Sequence, residues 1–307
     1  MTLDIRSYTP ADHGELVALI NDPAIVDQFE KIAGPEGVRD LLSEPVTFPE
    51  GILIARQGGV PVGFSIAYVL PQLGGAFGMQ RVGVLEPYRR QGIGLALLEA
   101  SERVLRVQPQ SPGLNEAGLS AWLPNDAGEA LAARGGYLHQ RYYWLMERPR
   151  TAVPSPEWPA GITTLVFDHS EQHHRDWAEA YNDSFQHHHL FLPATLEHVF
   201  ARTQREKFRA DGLLLAYRNA KCVGFCRCEL YPSRGEIGTL GTHTSARGIG
   251  LGRALLRWGV EWLHQNSTRP VTLIVDGENE GALELYRQEG FGVTRTRRIW
   301  ARPLAPH

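Results

Sequence analysis

Leu240-Gly241-Thr242-His243-Thr244-Ser245-Ala246-Arg247-Gly248-Ile249-Gly250-Leu251-Gly252 reads as a short strand that breaks into a glycine-rich turn. Arg253 to Gln265 follows, with Leu255, Leu256, Gly259, Trp262 and Leu263 recurring at helical spacing. Further on comes Val275-Asp276-Gly277-Glu278-Asn279-Glu280-Gly281-Ala282-Leu283-Glu284-Leu285-Tyr286, then Glu289-Gly290-Phe291. The order is strand, glycine turn, helix, strand and a second helix from Asn279 to Gln288. A glycine turn at a helix start is an anion cradle. The first helical N–H groups lack intrahelical partners, the helix dipole is positive there, and glycine lets the backbone approach a phosphate closely. The spacing Arg-x-x-Gly-x-Gly lacks the Gly-Lys-Ser/Thr ending of a P-loop and does not fit the Gly-x-Gly-x-x-Gly dinucleotide fingerprint.

Arg247-x-x-Gly250-x-Gly252, followed by Asn279-x-x-Ala282-Leu283-x-Leu285-Tyr286-x-x-x-Gly290-Phe291, resembles the GNAT superfamily of acetyl-CoA-dependent N-acetyltransferases. The first segment is similar to the pyrophosphate-binding motif of that family, the second to its asparagine–tyrosine helix. The resemblance covers roughly residues 236 to 292. Arg-x-x-Gly-x-Gly alone is unspecific: Arg287-Gln288-Glu289-Gly290-Phe291-Gly292 also fits, but it follows a helix rather than a strand. Thr244-Ser245 departs from the proline-containing run usual in the family, while the glycines are intact.

The resemblance implies acetyl-CoA as cosubstrate. It assigns cofactor contact to Leu240, Gly241, Thr242, Arg247, Gly248, Ile249, Gly250, Leu251, Gly252, Arg253 and Asn279. Tyr286 resembles the general acid of the family; a tyrosine with an ordinary pKa near 10 is protonated at neutral pH and can donate toward a leaving sulfur. The bland readings are a core aromatic for Tyr286 and a simple N-cap for Asn279. Glu236 is the favoured base, because Gly235-Glu236-Ile237 before Leu240-Gly241 resembles tandem GNAT proteins of the mycothiol synthase type. A solvated strand-end carboxylate is its alternative, and Glu229 and His243 remain candidates, since a base can act through water. Those tandem proteins also carry a segment similar to Phe185-Gln186-His187-His188-His189 ahead of Pro193-Ala194-Thr195, bordering the acceptor cleft. An exposed polar loop and a metal site are the competing readings of the histidines.

Residues 1–150 read as a first copy. Leu3 to Arg6 is a strand, and Thr9-Pro10-Ala11-Asp12 opens a helix through Ile20. Gly51–Ala55 and Pro61–Tyr68 form a hairpin around Gly58-Gly59. Arg81 to Leu85 then leads into a second glycine turn, so Val82, Gly83, Val84, Arg89, Arg90, Gln91, Gly92, Ile93 and Gly94 are the candidate CoA contacts of this copy. Arg89, Gly92 and Gly94 match Arg247, Gly250 and Gly252 at an offset of 158; Asn125, Gly136, Tyr137, Arg148 and Pro149 match Asn279, Gly290, Phe291, Arg302 and Pro303 at 154. At that second offset Tyr286 falls on Ala132. The first copy keeps the cradle and loses the tyrosine, which marks it as degenerate.

Thr151 to Gly161, with Pro154, Pro156 and Pro159, reads as a linker. The expected organisation is an N-terminal unit over 1–150, a linker over 151–160 and a catalytic unit over 161–307. Each is an α/β unit with a mixed, mostly antiparallel sheet flanked by helices. At 307 residues and 43% hydrophobic content, each unit can bury a core. A net charge of −3 argues for no nucleic-acid partner, and no run of 18 apolar residues argues for a membrane span. The N-terminus lacks a signal-peptide pattern, so the cytoplasm is expected. Cys222, Cys226 and Cys228 are evenly spaced on one strand face and read as buried, reduced thiols; no metal is expected. The expected reaction is acetyl transfer from acetyl-CoA to a primary amine of a small molecule, an amino sugar or antibiotic among the candidates. An acyl-CoA-binding module without turnover is the alternative.

Overall fold

The computed structural model describes residues 2–29, 32–43, 47–72, 75–109, 113–205, 208–231 and 233–304. The chain forms two compact units. The first is Met1–Tyr142 together with Arg297–His307, and the second is Tyr143–Thr296.

In the first unit, β1 (Leu3–Ser7), β2 (Thr47–Gln57), β3 (Val60–Gln72), β4 (Gly75–Val84) and β5 (Leu114–Leu123) follow one another across the sheet. All pairs are antiparallel except β4 with β5. β2 and β3 meet in a two-residue turn in which Gly58 and Gly59 both have positive φ, 60° and 86°. Two such residues match the strand twist, and glycine adopts them at no steric cost. Helices α1 (His13–Ile20) and α2 (Gly34–Ser43) cover one face, and α3 (Ile93–Arg106) covers the other. On β2, Ile52 and Ile54 pack with Leu16 and Ile20 under α1, while Leu53 and Ala55 pack with Leu97 of α3. Burial on both faces is why this strand reads as a continuous apolar run rather than an alternating one. Helix α4 (Asp126–Arg134) and strand β6 (Leu138–Arg148) complete the repeat.

The second unit repeats the order: β7 (Thr163–Val166), α5 (Glu171–Phe185), α6 (Leu196–Thr203), β8 (Leu213–Arg218), β9 (Lys221–Leu230), β10 (Gly235–Thr242), α7 (Leu251–Asn266), β11 (Val271–Asp276), α8 (Glu280–Gln288) and β12 (Gly292–Pro303). Its β10 and β11 are the parallel pair. Leu213 and Leu215 face Phe167 and Trp177 on the α5 side, and Leu214 and Ala216 face Leu255 and Leu256 of α7.

Two expectations are corrected here. The three cysteines do not share a face. Cys226 and Cys228 pack with α7, whereas Cys222 packs with Phe167, Trp177 and Phe225 on the opposite side. The pairing of β8 with β9 shifts register between Ala216 and Tyr217, and one extra residue on a strand inverts the alternation beyond it. All three thiols are free and buried, and burial pushes that of Cys222 up to about 12.

The division between units also differs from a cut at 151–160. Residues 138–142 of β6 belong to the first unit and 143–148 to the second; β12 is divided in the reverse sense at residue 297. The proline-rich segment lies within the second unit, where Val153 and Trp158 pack on its core. Arg148, buried, donates to the carbonyls of Pro149 (3.2 Å), Thr151 (2.9 Å), Ala152 (2.8 Å) and Glu289 (2.9 Å). Proline cannot donate to a sheet, so this stretch is extended, but it is docked rather than free.

Asp12 anchors the first helical turn of unit one. Its carboxylate accepts from the Thr9 N–H (2.8 Å), the Thr9 hydroxyl (2.7 Å) and Arg56 (2.7 Å). The Thr9 hydroxyl bond, together with Arg56, holds its pKa below the ordinary aspartate value against the opposing effect of burial. A depressed folded-state pKa stabilises the protein above the unfolded aspartate value of about 3.9, and the gain is lost as pH falls through the lower folded value. Asp12→Asn is expected to lower the urea midpoint at neutral pH and flatten its fall in acid. Urea melts of both proteins from about pH 7 to about pH 2 test this; parallel curves would refute it.

Candidate active site

The second unit builds its site around the end of β10. This strand pairs with β11 over Gly235, Glu236 and Ile237, opposite Val271, Thr272 and Leu273. A bulge between Ile237 and Thr239 follows, and among the described residues no further β10–β11 pair forms. The strands therefore part beyond Gly238. The His243 N–H donates to the Val223 carbonyl on β9 (2.9 Å). Since successive backbone groups point to opposite sides, the N–H groups of Leu240 and Thr242 point into the gap left by β11. Gly241 has no alternative: a Cβ there would lie 2.6 Å from the Phe225 ring and 2.9 Å from the Ser184 hydroxyl.

The gap opens on the cradle. Thr244–Ala246 forms a single 3-10 turn, with Gly248 (φ 76°) after it and Gly250 (φ 90°) as the N-cap of α7. The left-handed values favour glycine at both positions. Asp183, in the last turn of α5, clamps the loop: it accepts from the Thr244 N–H (2.6 Å) and the Thr244 hydroxyl (3.1 Å). Arg247 donates to the Ser184 carbonyl (3.2 Å). Arg253 is turned to Glu289 (3.1 Å), so it reaches α8 rather than the loop. His243 caps the 3-10 turn through Ser245 and meets Lys221 (2.9 Å) and Asp183 (3.3 Å). Asn279 accepts from the Ala282 N–H (3.1 Å) as the N-cap of α8.

Helix α8 brings Tyr286 into the core cluster that holds Cys226, Leu251 and Leu255. Gly252 lies beside both Thr242 and Leu285, so α8 runs next to the cradle. Burial, with a small contribution from Cys226, raises the Tyr286 pKa well above its ordinary value. Among the described residues its hydroxyl makes no hydrogen bond. Glu236 is buried and held by Arg234 (3.1 Å). Glu229, on the neighbouring strand, sits over the bulge: a Cβ on Gly238 would lie 2.9 Å from its carboxyl carbon. It is held by Arg227 and by the Tyr231 hydroxyl (2.7 Å). Of the histidine run, His188 stands edge-on to Phe185 (4.7 Å) and His189 lies 3.4 Å from the Tyr143 hydroxyl.

The first unit holds the same frame. β4 and β5 pair from Ala76 to Gln80 and then part. The Leu85 N–H donates to Val62, which turns the N–H groups of Val82 and Val84 toward the gap. Gly92 (φ 87°) caps α3, and Arg90 (φ 63°) occupies the place of Gly248. Ile93 is buried beneath the loop, Gly94 faces Leu131, Gln91 closes on the Pro87 carbonyl (3.1 Å), and Arg89 donates to Val84 and Ala24 (both 3.0 Å). A cavity of about 820 Å³ runs along this loop to Gln28, Phe29 and Arg81. Ala132, buried, stands where the other unit has Tyr286. The Gln28 side chain clips both backbone groups of Trp122 on β5 (2.8 and 3.0 Å), and Arg81 lies 4.3 Å over the Phe29 ring, its pKa pushed down to about 10 by burial.

Asp183, Arg227 and Gln28 were not singled out as site residues from the sequence. Their partners are distant in sequence or depend on strand register, so only the alternation of Arg227 with Glu229 left a trace.

Residues 23–137 and 169–291 each match the profile of the acetyltransferase (GNAT) family. Among curated proteins, a mycothiol acetyltransferase of Thermomonospora curvata is 33% identical over 244 residues, covering 78% of each chain. Another, of Thermobispora bispora, is 30% identical over 308 residues, covering 94% of this chain and 95% of its own. Among solved structures, a GCN5-related N-acetyltransferase from Sphaerobacter thermophilus superposes with a TM-score of 0.76 at 25% identity, covering 99% of this chain and 96% of the other. A tandem GNAT protein from the clavulanic acid biosynthesis pathway shares the fold over the whole of both chains, with a TM-score of 0.71 at 18% identity. With two matched regions spanning most of its length, each on a splayed strand pair and a glycine cradle, the chain belongs to the GNAT acetyltransferase family.

Proposed function

We propose that the chain transfers the acetyl group of acetyl-CoA to a primary amine of a small molecule, in the cytoplasm, with the chemistry in the second unit. The observation that carries this reading is Tyr286 on the helix beside the cradle, its ring buried and its hydroxyl unbonded among the described residues. The α7 N-terminus with Gly248 and Gly250 suits the pyrophosphate. The N–H groups of Leu240 and Thr242 suit the pantetheine arm and the thioester carbonyl, where charge develops during attack. As the amine nitrogen bonds to the carbonyl carbon, Glu236 takes its proton, directly or through water. When the carbon–sulfur bond breaks, Tyr286 gives its proton to the sulfur, and amide and CoA thiol leave. Both residues then exchange a proton with solvent.

The first unit, with a cradle and no tyrosine, suits a CoA-type ligand without turnover. The curated relatives are named for mycothiol, so cysteinyl amino sugars join the acceptors to be tried. The test is CoA formation from acetyl-CoA, followed by chromatography, across amines, amino sugars and cysteinyl amino sugars. Formation with one acceptor class, lost in Gly250→Val, is expected, because a β-branched residue opposes φ 90° and crowds the cradle. Acetyl-CoA binding without CoA formation from any amine would instead favour a binding module.

A further inference from the structure

In the first unit, Arg81 stands where the second has Thr239, at the offset of 158 that aligns the two glycine turns. It directly precedes Val82, whose N–H enters the gap. Gly83, two positions further along β4, is packed against Phe64 and Ile25, so this face of the strand looks toward α1 and away from α3. Arg81 shares that face and lines the cavity of about 820 Å³ together with Gln28 and Phe29. Its guanidinium lies 4.3 Å over the Phe29 ring and donates to the Gln28 carbonyl. Both partners are uncharged. Asp27 and Glu86 line the same cavity, but among the described residues no carboxylate forms an ion pair with Arg81, and the like charge of Arg297 bears on it. A pKa held down to about 10 still leaves it a cation at neutral pH. A guanidinium carries five N–H donors in a fixed fork. Arg81 is half-buried, and none of its unbonded nitrogens is sealed off. The Gln28 amide, clipped to both backbone groups of Trp122, fixes the wall against which the fork rests.

We infer that the first-unit cavity takes a CoA thioester whose acyl group ends in a carboxylate, and that Arg81 binds this carboxylate beside the acyl carbonyl. The inference rests on the reading of the first unit as a CoA-type site and names the class of its ligand. With the carbonyl on the Val82 N–H, the acyl chain runs past the next residue back along the strand, which is Arg81. A short acyl carboxylate meets the open donors of the fork there. A neutral acyl group leaves them facing only the cavity. An ammonium acceptor is repelled by the same charge, in keeping with a site that has no tyrosine acid. A charge-assisted contact of this kind is worth about tenfold or more in affinity.

The test uses full-length protein carrying Gly250→Val, which crowds the second cradle, and measures binding by calorimetry. Malonyl-CoA is compared with propionyl-CoA, and succinyl-CoA with butyryl-CoA; each pair exchanges a terminal carboxylate for a methyl group. The anionic member of at least one pair is expected to bind about tenfold or more tightly. Adding Arg81→Met is expected to bring that ratio to within about threefold while butyryl-CoA still binds, which shows the cavity intact. Arg81→Lys should fall between, because lysine keeps the charge but not the fork. Two-site titrations of the otherwise unaltered chain, with and without Arg81→Met, give the same comparison should Gly250→Val not fold. Free succinate added to CoA-loaded protein separates an acyl carboxylate from an independent anion, and binding as tight as the gain seen with succinyl-CoA overturns the acyl assignment. Equal binding within both pairs, or a ratio that survives Arg81→Met, overturns the inference and leaves the first unit a CoA site. Failure of every thioester to bind there overturns both.

Discussion

Replacing Tyr286 by phenylalanine is expected to lower kcat by about 10²-fold while leaving the fold in place. General acid catalysis contributes about 10²- to 10⁴-fold, and a thiolate whose conjugate acid has a pKa of about 8.5 is already a fair leaving group, so the low end applies. Stability should barely change, within about 0.5 kcal/mol, because the hydroxyl makes no hydrogen bond to lose and the ring keeps its place against Phe291. That contrast separates the two roles open to the residue. A purely structural tyrosine would leave kcat untouched. The elevated pKa adds a pH signature: the acid is in its protonated form throughout the neutral range and above, so the alkaline limb of kcat in the wild type should not fall where an ordinary tyrosine titrates. Stopped-time chromatography of CoA across pH, with thermal melts of both proteins, checks each part.

Arg302→Met is expected to destabilise the first unit by about 3 kcal/mol. Arg302 donates to both oxygens of Glu102 (3.0 and 2.6 Å) and to the Gly135 carbonyl at the end of α4 (2.9 Å). Glu102 also accepts from Tyr137, whose pKa burial and this carboxylate raise. Removing the guanidinium strands a buried carboxylate, a change worth about 3–5 kcal/mol, and partial exposure of Arg302 places it at the lower end. The double variant Arg302→Met with Glu102→Leu should recover part of the loss, since it removes the stranded charge. Urea denaturation of the three proteins decides it; equal destabilisation of single and double variants would refute the argument.

Arg302 and Arg148 occupy the same place in the repeat. Arg148 donates to the Glu289 carbonyl after α8, as Arg302 does to Gly135 after α4. Each arginine lies at the end of the last strand of its own repeat, Arg148 as the last residue of β6 and Arg302 as the last but one of β12, yet falls in the other compact unit. The pairing of Arg148 with Arg302 at an offset of 154 was visible in the sequence. The exchange was not, because a strand pattern does not say which sheet edge receives it.

Local features were determined by the sequence alone. The Gly58-Gly59 turn, the caps at Asn125 and Asn279, and the left-handed glycines at 92 and 250 depend on neighbours a few residues away. The two glycine cradles and the duplication follow from them, as does the family resemblance. Tertiary structure decided what depends on register and on distant partners. One shift between β8 and β9 set Cys222 apart from Cys226 and Cys228. The bulge at Gly238 placed Glu229 over the splay, although Glu236 stood out in the chain. The 151–160 segment looked like a linker by composition, but Arg148 gathers its carbonyls and docks it. Composition reports what a segment can do alone, and a buried guanidinium is a partner that only the folded chain supplies.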